Sequence, residues 1–359
     1  MEYITLGRTK EKVSRISLGT WSYGGPNTLS GNHPVGWSGQ DDSDSTNALT
    51  KAYELGINHW DTADVYGDGH SEKIIGGIWG DLPRNEIFLA TKVGWDMGPY
   101  DYWYHPKHMR TNMERSLKNL KTDTVDLMYL HHCNFGKNNE YFDSALEVVN
   151  RFKEEGKTRF IGLSDWSLKK IMDNIEACDP DVIQPYRNVM DDTYSETGLK
   201  DFIDSNNLGV CFFSPIKHGL LTGKYSEPTV FEAGDFRTGV KDFVNQDIID
   251  RMKLNKSKLA SKFSNHLEPV MHGLVDALLT DSPTGCVLLG QRNTTQVESA
   301  SSLGVALSEE EAIWVKKLYQ NRFNDIICLY SLSEESKRVI CLIHHLSMFF
   351  NNQFYISIV

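Results

Sequence analysis

The segment GINHWDTADVYGDGHSE, residues 56–72, carries the pattern on which the fold prediction rests. Its beginning, Ile57–Asp61, is predicted to be a short buried strand, and the polar, glycine-containing part that follows is predicted to be a loop. The helical pattern Ser45–Leu55 comes directly before it. A helix followed by a buried strand and a polar loop indicates an alternating α/β chain.

The same alternation continues along most of the chain. Several of the strand-like runs are continuously apolar, which is typical of parallel strands covered on both faces. Eight such runs, each followed by a helix or loop, predict class α/β with a closed (β/α)8 TIM barrel, an open doubly wound sheet being the alternative. The candidate strands are Ile16–Trp21, Ile57–Asp61, Ile87–Val93, Val125–His131, Thr158–Leu163, Val182–Pro185, Gly209–Ser214 and Gly285–Gly290.

Helical patterns lie between these strands, and some have end signals. Asp44 is expected to cap the helix that starts at Ser45, and Gly156 is expected to stop the helix that ends at Glu155. The other helical patterns include Lys107–Leu120, Tyr141–Glu155, Ser167–Ala177 and Ser308–Gln320.

Two long loops interrupt the alternation after strands one and seven, at Ser22–Asp41 and Ile216–Asn245. Long loops that follow barrel strands lie at the catalytic end, so both are candidate lids over a substrate or cofactor. Surface insertion without function is the alternative.

The C-terminus departs from the barrel pattern, so we expect one barrel domain over residues 1–320 and an atypical extension of unknown role over residues 321–359. Val339–Val359 is apolar and long enough to span a bilayer, for which roughly 20 residues are needed. Polar residues such as His344 and Asn351 interrupt it, and each is costly in hydrocarbon. A loosely docked extension is therefore favoured over a membrane anchor.

Composition excludes several other classes of function. The formal net charge is -11, which disfavours a nucleic-acid partner or an anionic membrane. The six cysteines form no CxxC pair, a usage that indicates reduced thiols in a cytoplasmic protein. No secretory signal is visible at the N-terminus. No metal site is expected, since His131–His132–Cys133 has no second ligand cluster at zinc-like spacing.

Four polar residues lie at or just beyond the ends of three consecutive predicted strands: Asp61, Tyr66, Lys92 and His131. Neighbouring strands are ~4.8 Å apart, so these side chains can meet at one mouth of the barrel. Lys92 is expected to lower the pKa of the Tyr66 phenol, and Asp61 to hold Lys92 charged. His131 can donate a hydrogen bond to a substrate carbonyl. The set suits carbonyl reduction, with Tyr66 as the acid.

The chain resembles the aldo-keto reductase family from about Leu6 to Gln320. The resemblance is carried by SLGTWSYGG, GINHWDTADVYGDGHSE, FLATKVG, VDLMYLHH, GLSDWS, FSPIKHGLLTGKY and VLLGQRNTTQ. It implies a barrel that binds NAD(P)H across its mouth, with the four polar residues as the catalytic tetrad.

The resemblance also implies cofactor-binding positions, although two of them depart from the family pattern. Asp165 stands where the family usually has Asn. Arg187 stands where an aromatic residue often stacks on the nicotinamide, a task that either Tyr186 beside it or the Arg187 guanidinium plane itself can take over. Arg292 suits bidentate contact with a phosphate, which favours NADPH over NADH. The cofactor-binding residues are predicted to be Thr20, Trp21, Ser164, Asp165, Gln184, Ser214, Leu221, Gly290, Arg292 and Gln296.

Substrate recognition is predicted only in outline. Trp21 and Trp95 form an expected aromatic wall beside His131, and Trp103 and Tyr104 are equally suited to the wall or the core. The predicted function is NAD(P)H-dependent reduction of an aldehyde or ketone, or oxidation of the corresponding alcohol, including sugars. The alternative is a redox-sensing regulatory subunit that resembles potassium-channel β subunits. Either form is compatible with an oligomer.

Overall fold

Eight parallel strands close into a barrel in the computed structural model, which describes residues 1–29, 33–96 and 98–320. The predicted (β/α)8 barrel is therefore confirmed. Around the barrel the strand order is β3-β6-β7-β8-β9-β10-β11-β12, and β12 pairs with β3 to close it. The strands are β1 (Tyr3–Thr5), β2 (Lys12–Ser14), β3 (Ile16–Gly19), β4 (Thr28–Leu29), β5 (His33–Pro34), β6 (His59–Asp61), β7 (Phe88–Val93), β8 (Val125–Leu130), β9 (Thr158–Asp165), β10 (Val182–Pro185), β11 (Gly209–Phe212) and β12 (Cys286–Gly290).

Helices follow most of these strands and cover the outside of the barrel. They are α1 (Asp42–Glu54), α2 (His70–Gly77), α3 (Pro106–Leu120), α4 (Phe142–Glu154), α5 (Leu168–Cys178), α6 (Leu199–Asn206), α7 (Gln246–Lys262), α8 (Pro269–Val275), α9 (Thr294–Ser301) and α10 (Glu309–Gln320).

Helix α1 begins three residues before its predicted start. The predicted cap, Asp44, lies inside the helix, and Asp41 is the cap instead: its carboxylate accepts from the backbone N–H groups of Ser43 and Asp44. The first turn of α1 is polar and carries no apolar periodicity, so the sequence pattern predicts the start of the helix too late. At the end of α4 the prediction is confirmed, since Gly156 adopts a φ of 73° after the cap residue Glu155.

A hairpin of β1 and β2, which the strand pattern did not predict, precedes the barrel. Leu6 and Val13 from this hairpin are fully buried against residues inside the barrel, among them Leu127 and Val182. The hairpin thus fills the interior from the end opposite to the carboxyl ends of the strands.

The loops after β3 and β11, which were predicted as lids, are bound to each other. The Ser38 hydroxyl donates to Asp235 Oδ2 at 2.7 Å, and the Phe236 N–H donates to the Gly36 carbonyl at 3.0 Å. Arg237 pairs with Asp235 and places its guanidinium 4.2 Å from the centroid of the Trp37 ring. The two loops therefore form one connected wall at the mouth of the barrel.

Residues Met1–Lys316 form one compact unit. Residues 317–320 are described as the end of α10, and the predicted extension over 321–359, with its apolar segment, lies outside the described residues. Within the described residues, no helix combines the length and apolar character needed to cross a membrane.

Candidate active site

Asp61, Lys92 and Tyr66 form a chain of contacts at the carboxyl end of the barrel. Lys92 Nζ donates to Asp61 Oδ1, to the Thr62 carbonyl at 2.8 Å and to the Tyr66 hydroxyl at 3.1 Å. All three donor positions of the ammonium are thereby used. Because Lys92 is 1% exposed, this geometry fixes it as a buried cation directly beside the phenol.

Strand register explains why these side chains meet. Asp61 ends β6 and pairs with Ala90 of β7, so Lys92 lies two residues further along the neighbouring strand on the same face. Gln184 of β10 reaches across the barrel, and its side-chain amide donates to Asp61 Oδ2 at 2.8 Å. Both carboxylate oxygens of Asp61 are thus occupied, and Asp61 in turn holds Lys92 in place.

His131 directly follows β8, and its ring lies beside the phenol ring of Tyr66. Its ring centroid is 5.9 Å from that of Tyr66 and 5.1 Å from that of Trp95, both in edge-on contacts. Burial, followed by the neighbouring His132 and Lys92, holds the pKa of His131 well below its usual range. The imidazole is therefore neutral at physiological pH, and its Nδ1 has no hydrogen-bond partner among the described residues.

The pKa of Tyr66 differs from the sequence-based expectation. Burial raises the pKa of the phenol, and the Lys92 cation lowers it by less, so that the net value is about 12. Lys92 does lower the pKa of Tyr66, as predicted. The predicted net lowering of this pKa is wrong, however, because the desolvation of the phenolate raises it by more than Lys92 lowers it. Tyr66 consequently holds its proton throughout the neutral range.

A cavity of about 350 Å³ opens above the tetrad. Two of the predicted site residues do not line it. Lys92 is buried and contacts the Tyr66 hydroxyl, and Leu221 is buried within the 3-10 segment Lys217–Thr222, where Gly219 and Thr222 line the cavity instead. The predicted residues that do line it are Thr20, Trp21, Asp61, Tyr66, Trp95, His131, Ser164, Asp165, Gln184, Ser214, Gly290, Arg292 and Gln296.

Aromatic side chains make one wall of the cavity. Trp21 stacks on Tyr66 at 5.9 Å and contacts Trp95 at 6.2 Å, as the predicted wall requires. Trp37 and Trp166 also line it, and sequence reasoning missed both. Trp37 lies in a loop without periodicity, so only the loop's place after the first strand could have pointed to it.

Two other aromatic candidates lie elsewhere. Tyr104 is fully buried and donates from its hydroxyl to the His132 carbonyl, and Trp103 donates from its indole nitrogen to the Asn134 carbonyl. Neither belongs to the cavity lining. Their bulk supports the loop that carries His132, which does line the cavity.

Polar groups at the end of β9 border the cavity close to the tetrad. Asp165 accepts the backbone N–H groups of Cys133 at 2.8 Å and Ser167 at 2.7 Å, so its carboxylate organises two chain segments. Burial raises the pKa of Asp165. The Ser164 hydroxyl donates to Gln184 Oε1 at 3.4 Å. An amide group bound here meets hydroxyl, carboxamide and carboxylate groups together.

Arg187 does not take part in the cavity. It is fully buried in ion pairs with Asp192 and Asp281, with its guanidinium packed over Tyr194. The expectation that this guanidinium stacks on a nicotinamide is therefore wrong. Tyr186 is not in the lining either; the aromatic neighbours that line the cavity here are Trp166 and Phe213.

The opposite end of the cavity is cationic. Arg292 donates to Gln40 Oε1 at 2.8 Å, to the Ser38 carbonyl at 3.3 Å and to the Gly39 carbonyl. Lys224 lies nearby, and burial followed by the charges of Arg237 and Arg292 lowers its pKa. Two cations in one half-buried place suit a phosphate. The cavity therefore fits a dinucleotide cofactor, with amide-binding groups at the tetrad end and cations at the other.

Comparison with known proteins agrees with this geometry. The model of the aldo/keto reductase family matches residues 15–318. An aldo-keto reductase of Bacillus subtilis is 30% identical over 331 residues, covering 90% of this chain and 96% of the relative. A probable voltage-gated potassium channel β subunit of Arabidopsis thaliana is 27% identical, covering 83% and 89%. An NADH-specific methylglyoxal reductase of Escherichia coli is 30% identical, covering 62% and 70%.

A solved structure shares the same architecture. The glycerol dehydrogenase of Gluconobacter oxydans superposes with a TM-score of 0.71 at 27% identity, covering 88% of this chain and 94% of that one. The similarity thus extends over nearly the whole described part of the chain.

Proposed function

The chain belongs to the aldo/keto reductase family of oxidoreductases, and from that premise we propose that Tyr66 protonates the oxygen of the carbonyl that is reduced. The observation that carries the proposal is the 3.1 Å hydrogen bond from Lys92 Nζ to the Tyr66 hydroxyl. It places a fixed cation where negative charge develops on the phenol as the proton leaves.

Each member of the tetrad has a separate task in this proposal. Tyr66 arrives protonated, because its pKa is about 12. Lys92 stabilises the phenolate that forms, and Asp61 keeps Lys92 charged and oriented. A neutral His131 polarises the carbonyl by hydrogen bonding without competing as the proton donor.

A nicotinamide cofactor, when bound, supplies or accepts the hydride. In the proposed arrangement Ser164, Gln184 and Asp165 bind the carboxamide, and the aromatic wall keeps water away from the reacting carbon. In the same arrangement Ser214, which lies two residues after the end of β11 and adopts a φ of 57°, belongs to the segment proposed to follow the cofactor toward its phosphate end.

We propose NADPH as the preferred cofactor. The support is the place of Arg292, which lines the cationic end beside Lys224 and is held by carbonyls of the loop after β3. When a phosphate binds there, the Arg292 guanidinium exchanges its neutral carbonyl partners for a charged partner, which makes a stronger contact. The extra phosphate of NADPH supplies that partner and NADH does not.

The substrate in this proposal is an uncharged aldehyde, ketone or sugar. Trp21, Trp37, Trp95 and Trp166 offer flat apolar surfaces that pack equally well on an aromatic ring or on the apolar face of a sugar. Lys224 and Arg292, the two cations among the described residues that line the cavity, lie at the cofactor's phosphate end. Within this described lining, the substrate end therefore has no cation to bind an anionic group, which favours an uncharged substrate.

The potassium-channel relative supports a second candidate, a regulatory subunit that binds the cofactor with little turnover. Steady-state assays with aldehydes, ketones and sugars, each with NADPH and NADH, decide between the two. The enzyme hypothesis predicts multiple turnovers with at least one compound and a higher kcat/KM with NADPH. Oxidation of one bound cofactor per chain, followed by arrest with every compound, supports the regulatory subunit instead.

A further inference from the structure

Three metal-ligating side chains meet inside the barrel, away from the cavity. They are His59 of β6, Cys211 of β11 and Cys286 of β12, each with no solvent exposure. Their donor atoms all lie within 4.8 Å of one another, and Cys286 Sγ is 3.7 Å from His59 Nδ1. We refer to this set as the thiol–imidazole group.

The strand register explains how distant parts of the sequence converge here. Cys211 and Cys286 are paired across neighbouring parallel strands, so their side chains point to the same face of the sheet. His59 lies two residues before Asp61 on β6, and strand alternation places both on the inner face. The thiol–imidazole group therefore lies one layer of side chains below Asp61.

This layer differs from an ordinary barrel interior, where branched apolar side chains dominate. Hydrogen bonds join the three side chains to one another and to Ser17, but they leave one nitrogen of the group without a partner. His59 Nε2 has no hydrogen-bond partner among the described residues, and the imidazole is held by edge-on packing against Phe88 at 5.2 Å. The Cys286 thiol donates to the Val210 carbonyl at 3.4 Å. Three polarisable donors thus face one another in an apolar core.

We propose that the thiol–imidazole group binds one zinc ion. Donor atoms on a zinc tetrahedron lie about 3.3 to 3.8 Å apart, given Zn–S and Zn–N bonds of roughly 2.3 and 2.0 Å. The 3.7 Å separation already matches, and the other separations, all within 4.8 Å, exceed this range by at most about 1 Å. Sulfur and imidazole donors select zinc over magnesium or calcium, which require oxygen ligands.

Charge balance also favours a divalent ion at this place. Two thiolates and a neutral imidazole around Zn²⁺ sum to zero net charge, so the complete site is neutral in a medium where an uncompensated ion is very costly. Ser17, which donates to the His59 carbonyl at 3.1 Å and lies beside the Cys211 thiol, offers an oxygen as the fourth donor. The site links β6 to β11 and β12 across β3, where the barrel closes, and its role is structural.

Elemental analysis of the full-length protein, refolded with zinc under reducing conditions and passed through a desalting column, tests the proposal. We expect about one zinc per chain, and an intense thiolate-to-metal absorption band when cobalt replaces zinc. Folded wild-type protein that retains no zinc and gives no cobalt–thiolate band overturns it, whatever the variants show.

Variants then assign the ion to these residues. His59→Phe and Cys286→Val both suit an apolar core, and each is expected to lower the zinc content by roughly tenfold or more while far-UV circular dichroism stays unchanged. Cys178→Ala, which removes a buried thiol of α5 outside the group, serves as the matched control, and Cys328→Ser/Cys341→Ser tests the two cysteines of the C-terminal extension. Zinc retained by folded His59→Phe, or lost only in the variant of the extension, contradicts the proposal.

Discussion

Lys92 and Tyr66 are joined by a 3.1 Å hydrogen bond from the ammonium nitrogen to the phenol oxygen, and both side chains are buried. The cation also lies 4.9 Å from the centroid of the Tyr66 ring. Burial makes a phenolate costly, and Lys92 is the group that offsets this cost when the proton leaves. The pair therefore combines a phenol that is reliably protonated with a place prepared for its charged product.

Replacing Lys92 by Met removes that prepared charge and also leaves Asp61 buried without its cation. We expect kcat to fall by ~10²-fold or more. We also expect a loss of roughly 3 to 5 kcal/mol in unfolding free energy, the usual cost of removing one partner from a buried ion pair. Steady-state kinetics and urea denaturation measure the two effects separately.

The double variant Asp61→Asn/Lys92→Met is the control that separates catalysis from folding. Removing both charges leaves no unpaired ion, so most of the lost stability returns, whereas activity remains low. Recovery of activity together with stability shows that Lys92 acts only on folding.

The pH dependence of the reduction follows from the direction of two pKa shifts. The Tyr66 pKa is raised to about 12, so the acid is present below that value and lost only above it. The His131 pKa is lowered well below its usual range, so the imidazole stays neutral from mildly acidic pH upward. We expect kcat to be constant between about pH 6 and pH 10, measured with a stable buffer series. A titration near pH 8 that disappears in Tyr66→Phe contradicts this assignment.

Asp235 connects the two long loops, and its pKa is held at about 2: burial raises it, but hydrogen bonds from Arg237 and Ser38 lower it by more. Because this pKa is below the ordinary value of 3.8, the Asp235 carboxylate stabilises the fold above pH 3.8, and this contribution is lost as the pH falls toward 2.

Asp235→Asn is expected to lower the unfolding free energy by about 1 to 3 kcal/mol and to raise KM for the cofactor. Limited proteolysis of this variant is expected to cut within residues 22–41 or 216–245 first, and faster than in the wild type. If the variant is cut at the same sites and rates as the wild type, the two loops are held together by contacts other than those of Asp235.

Arg292→Ala tests the cofactor preference. The variant should raise the Kd for NADPH by about tenfold or more and leave the Kd for NADH within about twofold, because only NADPH carries the additional phosphate. Fluorescence titration of both cofactors measures this. Lys169→Ala removes a charge that is 79% exposed and paired with Asp173 on its own helix, and it controls for overall charge. Equal losses for both cofactors refute the assignment of Arg292 to the phosphate.

The barrel and the convergence of Asp61, Tyr66, Lys92 and His131 at its mouth could be predicted because both follow from short-range rules. Continuous apolar runs mark buried parallel strands, and the polar residues at their carboxyl ends must share one mouth. Asp61, Lys92 and His131 are fixed by this register alone, and Tyr66 is placed by the turn that follows β6.

Other features depend on contacts between distant segments, which a linear pattern does not show. The family pattern places Arg187 beside the nicotinamide, whereas in the structure its ion pair with Asp281, far along the sequence, holds it away from the cavity. The Tyr66 pKa depends on the amount of desolvation, which only the packed structure supplies. Cys211 and Cys286 lie 75 positions apart, so a search for ligands at short spacing could not find them.

Single-turnover reduction by Tyr66→Phe tests the central claim most directly. The variant removes the phenolic proton and keeps the ring that packs on Trp21. We predict that its Kd for NADPH stays within about threefold of the wild-type value, while hydride transfer to an aldehyde slows by ~10²-fold or more. Hydride transfer at the wild-type rate in this variant, with the fold intact, contradicts the assignment of Tyr66 as the proton donor.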